Sequence, residues 1–492
     1  MTVAGSFRGA FKPLTEGELD RIHMATLDVL EHIGVRFTNP YVQQHWREAG
    51  FAPDATGLIR LPPHVVEDAI RETPRHYTRW GKIRDLDVHM GDGGLYIGVG
   101  SLPLYIVEWG DGAFVRRHAT REDMVRFARL GDACPNLAIG NGQVKPADVP
   151  DCVVHAIWNQ NAVKSIAKPT CCWYALDVQT AQDTLAILRA AAGGDEELRR
   201  LKTWAITICP DQALSWGDSA VGLVEMAKAG VPIEIMPMPF PGSMTPVTMA
   251  GTIVQFNAEI LAALVLAQTL HPGVPINYTT YGGVMDMRSA AHAFGAPEVA
   301  LYNAAAAQLS NWYGIPNNLV TGISDSKVPD AQAAYEKVLT TLVPGLAGAD
   351  STSLIGGELD FGLSASYEQL MIDDEIAGQI LRIVRGFEVN EETLALDVIR
   401  AVGPGGHYLE TDHTLRHFRE ELWTPTLTDR RAWEVWESEG KKDILARARE
   451  RVEALLATHQ PIPLPEERAR VVDAVVRDIC EREGIEYEKV AV

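Results

Sequence analysis

The feature that most constrains the fold is an alternation of short apolar segments with long helices rich in alanine and leucine between residues 121 and 372. The apolar segments have the length of buried strands, and the intervening segments have the length of helices. The predicted strands are Leu137–Gly140, Ser165–Ala167, Trp204–Ile208, Ile233–Met236, Ile276–Thr279, Asn318–Thr321 and Ser353–Gly356. The predicted helices are Ala175–Ala192, Ser215–Ala229, Thr248–Thr269, Ala296–Tyr313 and Asp330–Val343. Such alternation requires a parallel sheet, and a repeat count near eight favours an α/β fold closed into a (β/α)₈ TIM barrel.

Two segments of different character flank the predicted barrel. Residues 1–120 are predicted to form an N-terminal α+β layer, in which the helix Thr15–Ile33 starts at a T-x-x-E capping pattern and ends at Gly34. Glycine-punctuated strands are predicted within Gly94–Val115 of this layer. Residues 373–492 are charged and helical, so they are predicted to form a C-terminal helical cover that completes the barrel.

Composition excludes several classes of partner. The chain has 44 Lys plus Arg against 65 Asp plus Glu among 492 residues, a formal net charge of −21 that repels nucleic acid and anionic lipid. No basic and apolar leader precedes Leu14, and the strongest apolar run, Ile260–Leu270, is too short to span a membrane. The six cysteines contain no C-x-x-C pair. We therefore expect a cytoplasmic protein with reduced thiols.

Residues that follow the predicted strands are the candidates for chemistry, because barrel enzymes build their sites at the carboxyl ends of the strands. These residues are Asn141, Gln143, Cys171, Cys172, Trp173, Tyr174, Thr207, Cys209, Met236, Met238, Tyr278, Tyr281, Ser324, Asp325, Lys327, Glu358 and Asp360. Aromatic, thioether, amide and carboxylate groups are plentiful among them. None of them is an arginine, and the first arginine in a loop after a predicted strand is Arg288. Such a rim suits a cation better than a phosphate, although the same aromatic residues could fill the barrel mouth.

Common catalytic and metal-binding motifs fail on inspection. Gly98-Val99-Gly100 lacks both the third glycine of a dinucleotide fingerprint and a following helix, and neither a Walker loop nor a G-x-S-x-G elbow is present. His413 and His417 are four residues apart, but no third ligand follows at a suitable spacing, so the sequence predicts no metal site.

Longer strings in the second half of the chain are far more specific. They are Tyr281-Gly-Gly-Val-Met-Asp-Met-Arg288, Phe294-Gly-Ala-Pro-Glu298, Ser324-Asp-Ser-Lys-Val-Pro-Asp-Ala-Gln-Ala-Ala-Tyr-Glu-Lys337, Gly386-Phe-Glu-Val-Asn390, Gly403-Pro-Gly-Gly-His407 and Thr414-Leu-Arg-His-Phe418. Together they resemble the trimethylamine methyltransferase family, and the likeness runs from the first helix to about Pro465.

The resemblance implies a (β/α)₈ enzyme that moves a methyl group from a methylated amine to the Co(I) of a corrinoid (cobalamin) carried by a separate partner protein. Archaeal members of the family contain pyrrolysine, whereas this chain has only standard residues, and Lys327 lies near the corresponding position. Members without pyrrolysine act on quaternary amines. The implied substrate is therefore glycine betaine or a related betaine, with no metal bound by the chain itself. The resemblance leaves open a homo-oligomer.

The chemistry supports this reading, because a quaternary ammonium needs no acid or metal to activate its methyl group. The protein only has to orient and desolvate it, which can supply about 7–11 kcal/mol of the barrier. Candidates for holding the cation are Tyr96, Tyr105, Tyr281, Trp312, Glu358 and Phe361. Candidates for holding the substrate carboxylate are Arg288, Gly405, Gly406 and His407, of which we favour the Gly-Gly-His turn. The open alternatives are a binding protein for a betaine or amine without catalysis, and a methyltransferase for another methylated amine.

Overall fold

A curved parallel sheet of seven strands forms the centre of the protein. The computed structural model describes residues 3–4, 7–100, 102–110, 112–142, 144–173, 175–354 and 356–492. The parallel strands are β1 (Gly94–Gly98), β2 (Thr170–Cys172), β3 (Trp204–Ile208), β4 (Ile233–Ile235), β5 (Ile276–Thr280), β6 (Asn317–Thr321) and β7 (Ser351–Leu354). Most of their residues are buried on both faces, as expected for strands covered by helices.

The strands follow one another around the sheet in the order β1, β7, β6, β5, β4, β3, β2. Val3–Ala4 pairs antiparallel with β1. Two isolated parallel bridges join the edges of the sheet to the segment predicted as the first barrel strand: Ile139 bridges Gly98 of β1, and Gly140 bridges Thr170 of β2. The carboxyl ends of all seven strands therefore lie at one edge, where the connecting loops converge.

A helix follows each strand position and covers the outside of the sheet. These helices are Arg121–Ala133, Asp151–Ser165, Val178–Ala192, Ala220–Ala229, Met249–Leu270, Pro297–Tyr313, Ala331–Ala347 and Tyr367–Arg385, with the shorter Asp195–Leu201. Several end at a left-handed glycine, such as Gly193, Gly230, Gly314 and Gly348, which satisfies the last helical carbonyls.

The N-terminal layer packs against one side of this barrel-like body. Its helices and helical turns are Glu16–Asp28, Val29–Ile33, Pro40–Glu48, Pro63–Glu72 and Arg84–Leu86. Its strands are Val35–Phe37, Leu58–Ile59, Tyr77–Arg79, Val88–Met90, Tyr105–Gly110 and Ala113–His118. The predicted capping box is confirmed: the Thr15 hydroxyl accepts from the Glu18 amide, and the Glu18 carboxylate accepts from the Thr15 amide. The remaining short strands are Ser215–Trp216, Val284–Met285, His292–Ala293, Glu358–Leu359 and Ser364–Ala365, with a helical turn at Asp360–Gly362.

The C-terminal segment contains two kinds of helix. Ile444–Thr458 and Glu466–Arg482 pack against the outer helices of the body and contribute Ala448, Val452, Val472 and Val476 to the core. The helices Glu391–Leu394, Leu396–Val402, Asp412–Glu421 and Trp433–Ser438 contain no buried residue. A last helical turn covers Tyr487–Lys489. The middle of this segment therefore lacks a hydrophobic core of its own.

Three predicted elements differ from the structure. The strand at Gly94–Gly98, assigned above to the N-terminal layer, is β1 of the parallel sheet and pairs with β7. No strand forms at Ser165–Ala167, because the helix Asp151–Ser165 continues to this point and β2 starts after Pro169. The predicted helix at Ser215 starts only at Ala220, since Ser215 and Trp216 pair with the strand Val35–Phe37.

Among the described residues, one helix is long and apolar enough to cross a membrane by length and composition: Met249–Leu270. In its most apolar window, 72% of the residues are buried inside the protein. It packs against the helices Glu16–Asp28, Pro63–Glu72 and Ala220–Ala229. The structure therefore uses it as a core helix.

Candidate functional site

A cavity of about 400 Å³ opens at the carboxyl ends of the strands. Every one of the seven strands contributes a wall residue, either from the strand or from the loop that follows it. The residues that line it include Val99, Gly100, Asn141, Cys171, Cys172, Trp173, Thr207, Cys209, Asp211, Glu234, Met236, Met238, Tyr281, Asn318, Val320 and Ser353. Most of the residues that follow the predicted strands line this one cavity, as expected for the carboxyl ends of parallel strands.

Two tryptophans form one wall of the cavity. Trp158 is buried, and its ring centroid lies 5.8 Å from that of Trp173 in an edge-to-face arrangement. The Trp173 amide donates to the side-chain oxygen of Asn159, which fixes the backbone at this wall. A Cβ at Gly142 would lie 2.9 Å from the Trp158 ring, so only glycine permits this approach.

An aromatic and thioether cluster borders the cavity, and its members Met236, Met238 and Tyr281 line it. Phe240 and Phe294 are buried edge to face with centroids 5.6 Å apart, and the Tyr281 ring lies 5.5 Å from Phe294. Met236, Met238, Met244 and Phe361 pack against this cluster. Ring faces and polarisable sulfur attract a cation without a full opposing charge.

Glu234, on the floor of the cavity, belongs to a buried ion pair whose arginine is not a lining residue. Arg79 and Glu234 are almost fully buried and lie 3.2 Å apart, N to O. Glu234 also accepts a hydrogen bond from the Thr207 hydroxyl, and Arg79 donates to the carbonyl of Thr170. Because the two charges cancel, the floor adds little net charge to the cavity.

The cysteines at the cavity are neutral at physiological pH. Burial raises the pKa of Cys171 and of Cys209 to about 12 and that of Cys172 still further. The thiolate is the reactive form of cysteine. These residues are therefore walls and weak hydrogen-bond donors in the resting protein.

The loop after β7 is strained where it borders the cavity. Asp360 and Phe361 both have left-handed backbone conformations, with φ of 55° and 61°, and Gly362 follows at 83°. Left-handed non-glycine residues are costly and are concentrated at functional sites. A Cβ placed on Gly362 would lie 3.3 Å from both the Glu358 carboxylate and the Tyr281 hydroxyl. Gly362 lines the cavity, so the Glu358 carboxylate of this loop lies near the cavity edge, beside the hydroxyl of Tyr281 from the loop after β5.

No lysine, arginine or histidine is present among the described residues that line the cavity. The four internal residues outside the description that flank these loops are Ser101, Gln143, Tyr174 and Ile355, none of them basic in sequence. The chain therefore surrounds this space with rings, sulfur, neutral polar groups and carboxylates.

The structure brings together some of the residues predicted for the cation. Tyr281 lines the cavity, and Glu358 and Phe361 lie at its edge. Tyr96 lies in β1 but points into a separate cluster with Tyr77 and Met90, and its hydroxyl accepts from the His89 amide. This buried tyrosine is outside the cavity lining.

The other two aromatic candidates lie away from the cavity lining. The Arg116 guanidinium lies 3.7 Å from the centroid of the Tyr105 ring, so that ring face already has a cation. Trp312 is 40% exposed on the outer helix Pro297–Tyr313 and contacts His23.

The groups predicted for the substrate carboxylate are not at the cavity. The Arg288 side chain is 93% exposed and pairs with Asp286. Gly405, Gly406 and His407 lie on the exposed C-terminal segment. The Gly-Gly-His string is specific for the family. It gives no information on where these three residues lie in space, so it does not predict the carboxylate site.

Lys327, which the resemblance predicts to lie near the pyrrolysine position, is exposed. Its ammonium donates to the Asp325 carbonyl and lies 4.0 Å from the centroid of the Phe361 ring. The adjacent strings pack together: the Asp325 carboxylate accepts from the amides of Phe294 and Gly295, and burial raises its pKa to about 6.

Sequence reasoning missed Trp158 and the helix that carries it. The helix Asp151–Ser165 is buried on all sides, so it lacks the one-sided apolar stripe that identifies a surface helix. Gln143 and Tyr174, two further candidates, lie outside the described residues.

Glu259 anchors the loop after β3 from below. It is buried and accepts from the Leu214 amide at 2.8 Å, while Leu214 itself has a φ of 51°. This loop carries Cys209, Pro210 and Asp211 into the cavity wall. Burial raises the pKa of Glu259 to about 7.

This pKa gives a pH prediction. Because the folded protein binds the Glu259 proton more tightly than the unfolded chain, its stabilising effect is complete below pH 4.5 and is lost as pH rises through 7. We expect wild type to lose about 3 kcal/mol more unfolding free energy than Glu259→Gln between pH 4.5 and pH 8. Urea unfolding at several pH values measures this, with the exposed Glu16→Gln as control. Parallel curves for wild type and Glu259→Gln would contradict the assignment.

Comparison with known proteins identifies the family of this chain. The sequence pattern of the family described as trimethylamine methyltransferase (MTTB) matches residues 5–482. The chain belongs to the trimethylamine methyltransferase family.

Two relatives show how far the similarity extends. A glycine betaine methyltransferase of Desulfitobacterium hafniense strain Y51 is 32% identical over 98% of this chain and 99% of its own length. A trimethylamine methyltransferase MttB of Methanosarcina thermophila is 32% identical over 92% of this chain and 94% of its own length. Members with both names are thus similar to this chain along nearly their whole length.

One solved structure is similar to this member of the trimethylamine methyltransferase family in fold. A crystal structure of a hydroxylamine complex of MtmB has a TM-score of 0.52 to this chain, covers 90% of it and shares 14% sequence identity. At this identity, the likeness concerns the fold alone.

Proposed function

We propose that this methyltransferase moves a methyl group from a quaternary amine, glycine betaine or a related betaine, to the Co(I) of a corrinoid carried by a separate protein. The observation that carries the proposal is the composition of the cavity. Its described walls combine Trp158, Trp173 and Tyr281 with carboxylates and contain no lysine, arginine or histidine. Aromatic faces within van der Waals reach are the usual receptor for a quaternary ammonium.

We also propose that the parallel sheet closes into a (β/α)₈ barrel. The bridges of Ile139 and Gly140 to β1 and β2 occupy the position of an eighth strand. A helix follows each of the eight positions, including Arg121–Ala133 after β1 and Asp151–Ser165 after Gly140. In such a barrel the cavity lies at the face where active sites are found.

Methyl transfer from a quaternary amine requires the protein mainly to position the substrate. When the methyl carbon is transferred to cobalt, the electron pair of the C–N bond stays on nitrogen, and the leaving group is a neutral tertiary amine. No acid has to protonate it. The positive charge on nitrogen disappears during the reaction, so a polarisable grip costs less than a tight ion pair in the transition state.

The hydrogen-bond donors that could bind the carboxylate of the substrate differ from those predicted from sequence. Arg288 and the Gly-Gly-His turn lie elsewhere, and the neutral groups that line the cavity include the side-chain amide of Asn318. Neutral donors bind a carboxylate more weakly than arginine does. We therefore expect modest affinity for betaines.

The rim gives the corrinoid protein a surface to contact. Exposed apolar side chains lie on loops that follow five of the seven strands: Leu104, Leu176, Val247, Met287 and Leu363. Apolar residues grouped around a polar cavity are typical of an interaction surface. A partner seated here would place its cobalt above the mouth and exclude water.

The test is a methyl-transfer assay with purified protein, a reduced corrinoid protein and a series of donors. We expect glycine betaine or another betaine to methylate Co(I) faster than trimethylamine does. The change in the absorption spectrum of the corrinoid measures the rate. Ligand binding without transfer would favour the alternative of a binding protein. A faster reaction with trimethylamine than with every betaine would contradict the substrate assignment.

A further inference from the structure

A cluster of possible metal ligands lies on the exposed C-terminal segment, outside the cavity lining. From the sequence, His413 and His417 lack a third ligand because none follows them. The structure supplies one that precedes them. Donor atoms of Glu392, His413 and His417 all lie within 4.8 Å of one another. The expectation of no third ligand is therefore corrected by the approach of the helix Glu391–Leu394 to the helix Asp412–Glu421.

The arrangement matches the needs of a zinc-class cation. The two histidines are four residues apart on one helix, so their rings lie on the same face, with centroids 4.5 Å apart. Nε2 of His417 lies 2.9 Å from Oε1 of Glu392. Ligands of tetrahedral zinc at about 2.0–2.1 Å from the metal lie about 3.3 Å apart, so only small side-chain rotations are needed.

His413 provides an observation that points to a ligand. Its Nε2 is buried from solvent and has no hydrogen-bond partner among the described residues. A buried ring nitrogen normally has a partner. A metal ion between the three side chains would provide it.

Arg416 is a competing charge, since its guanidinium lies 2.9 Å from Oε1 of Glu392. A carboxylate has two oxygens and accepts several partners, so Glu392 can bind a metal and keep Arg416. An outer partner of this kind orients a metal ligand.

We propose that Glu392, His413 and His417 form a structural site for a divalent cation of the zinc class, which fastens the helix Glu391–Leu394 to the helix Asp412–Glu421. Neither helix contains a buried residue, so the segment lacks the apolar contacts that would otherwise hold it. Metal binding can stabilise a small unit that has little core. The site is separate from methyl transfer and does not depend on the proposed substrate.

The experiment is zinc binding to the full-length protein after removal of metals with EDTA. We expect one zinc per chain in competition with a chromogenic chelator, and visible d–d absorption when Co²⁺ replaces zinc. Glu392→Gln, His413→Gln and His417→Gln should each weaken zinc binding by about 100-fold or more. Glu391→Gln and His407→Gln, neighbours of the same residue types, should bind as wild type does.

Limited proteolysis tests the fastening role. With zinc at about 100 times its Kd, we expect trypsin to cleave after Arg400 and Arg416 at least about 10-fold more slowly in wild type but not in His413→Gln. Zinc binding that the three substitutions leave unchanged would overturn the site. Absence of zinc binding in wild type would also overturn it, and binding without slower cleavage would overturn the fastening role.

Discussion

Replacing Trp173 by leucine is expected to raise the KM for a betaine donor by about 30-fold. The Trp173 ring lines the cavity beside Trp158, and leucine keeps apolar bulk while removing the π face. A desolvated contact between a cation and tryptophan contributes about 2 kcal/mol, which corresponds to this factor. Steady-state methyl transfer at saturating corrinoid protein measures the effect.

The matched control is Trp312→Leu, because Trp312 lies on an outer helix and is absent from the cavity lining. It should leave KM unchanged. Competition with 3,3-dimethylbutanoate, which replaces the charged nitrogen of glycine betaine by carbon, separates charge from shape. Wild type should bind this compound, which keeps the carboxylate but lacks the cation, much more weakly than betaine, and Trp173→Leu should reduce that difference. An equal loss for both compounds would mean that Trp173 contributes shape alone.

Replacing Lys337 by methionine is expected to lower the free energy of unfolding by about 3–5 kcal/mol, because it leaves the Asp373 carboxylate buried without its cation. Lys337 and Asp373 are fully buried and lie 3.0 Å apart. The Lys337 ammonium also donates to the Gly322 carbonyl after β6, and Asp373 accepts from the Gly357 amide after β7. The pair therefore holds two loops at the carboxyl edge of the sheet.

Chemical denaturation measures this loss, and two further variants interpret it. Lys327→Met removes an exposed lysine from the same string and should cost less than about 1 kcal/mol. Adding Asp373→Asn to Lys337→Met removes the unpaired charge and keeps an oxygen for Gly357, so it should restore at least about 1 kcal/mol. Equal costs for Lys327→Met and Lys337→Met would contradict the role of the buried pair.

The sequence predicts strands β3 to β7 because each is a short segment with apolar residues between helices. It misplaces β1, whose glycines at both ends resemble those of hairpin strands in the N-terminal layer. It also places a strand at Ser165–Ala167, where apolar residues finish a helix that is buried on all sides. Periodicity is uninformative for such a helix, since no face is polar.

The candidate site was predictable in part for a topological reason. Tyr281, Trp173 and Met236 follow strands and therefore meet at one edge, whatever the details of packing. Trp158 lies in a helix, and its approach depends on the absence of a side chain at Gly142. His413 and Glu392 meet through the path of an exposed segment. Contacts of this last kind need three-dimensional coordinates.

The raised pKa values of the cavity thiols have a consequence for the lifetime of the protein. Under the proposed function, the cavity receives methyl donors and a methylated corrinoid, so its walls are exposed to alkylation. Cys171 and Cys209 line that site, and burial keeps them as thiols. A thiol attacks carbon far more slowly than a thiolate does. Burial of these sulfurs thus protects the enzyme from inactivation by alkylation of its cysteines during repeated turnover.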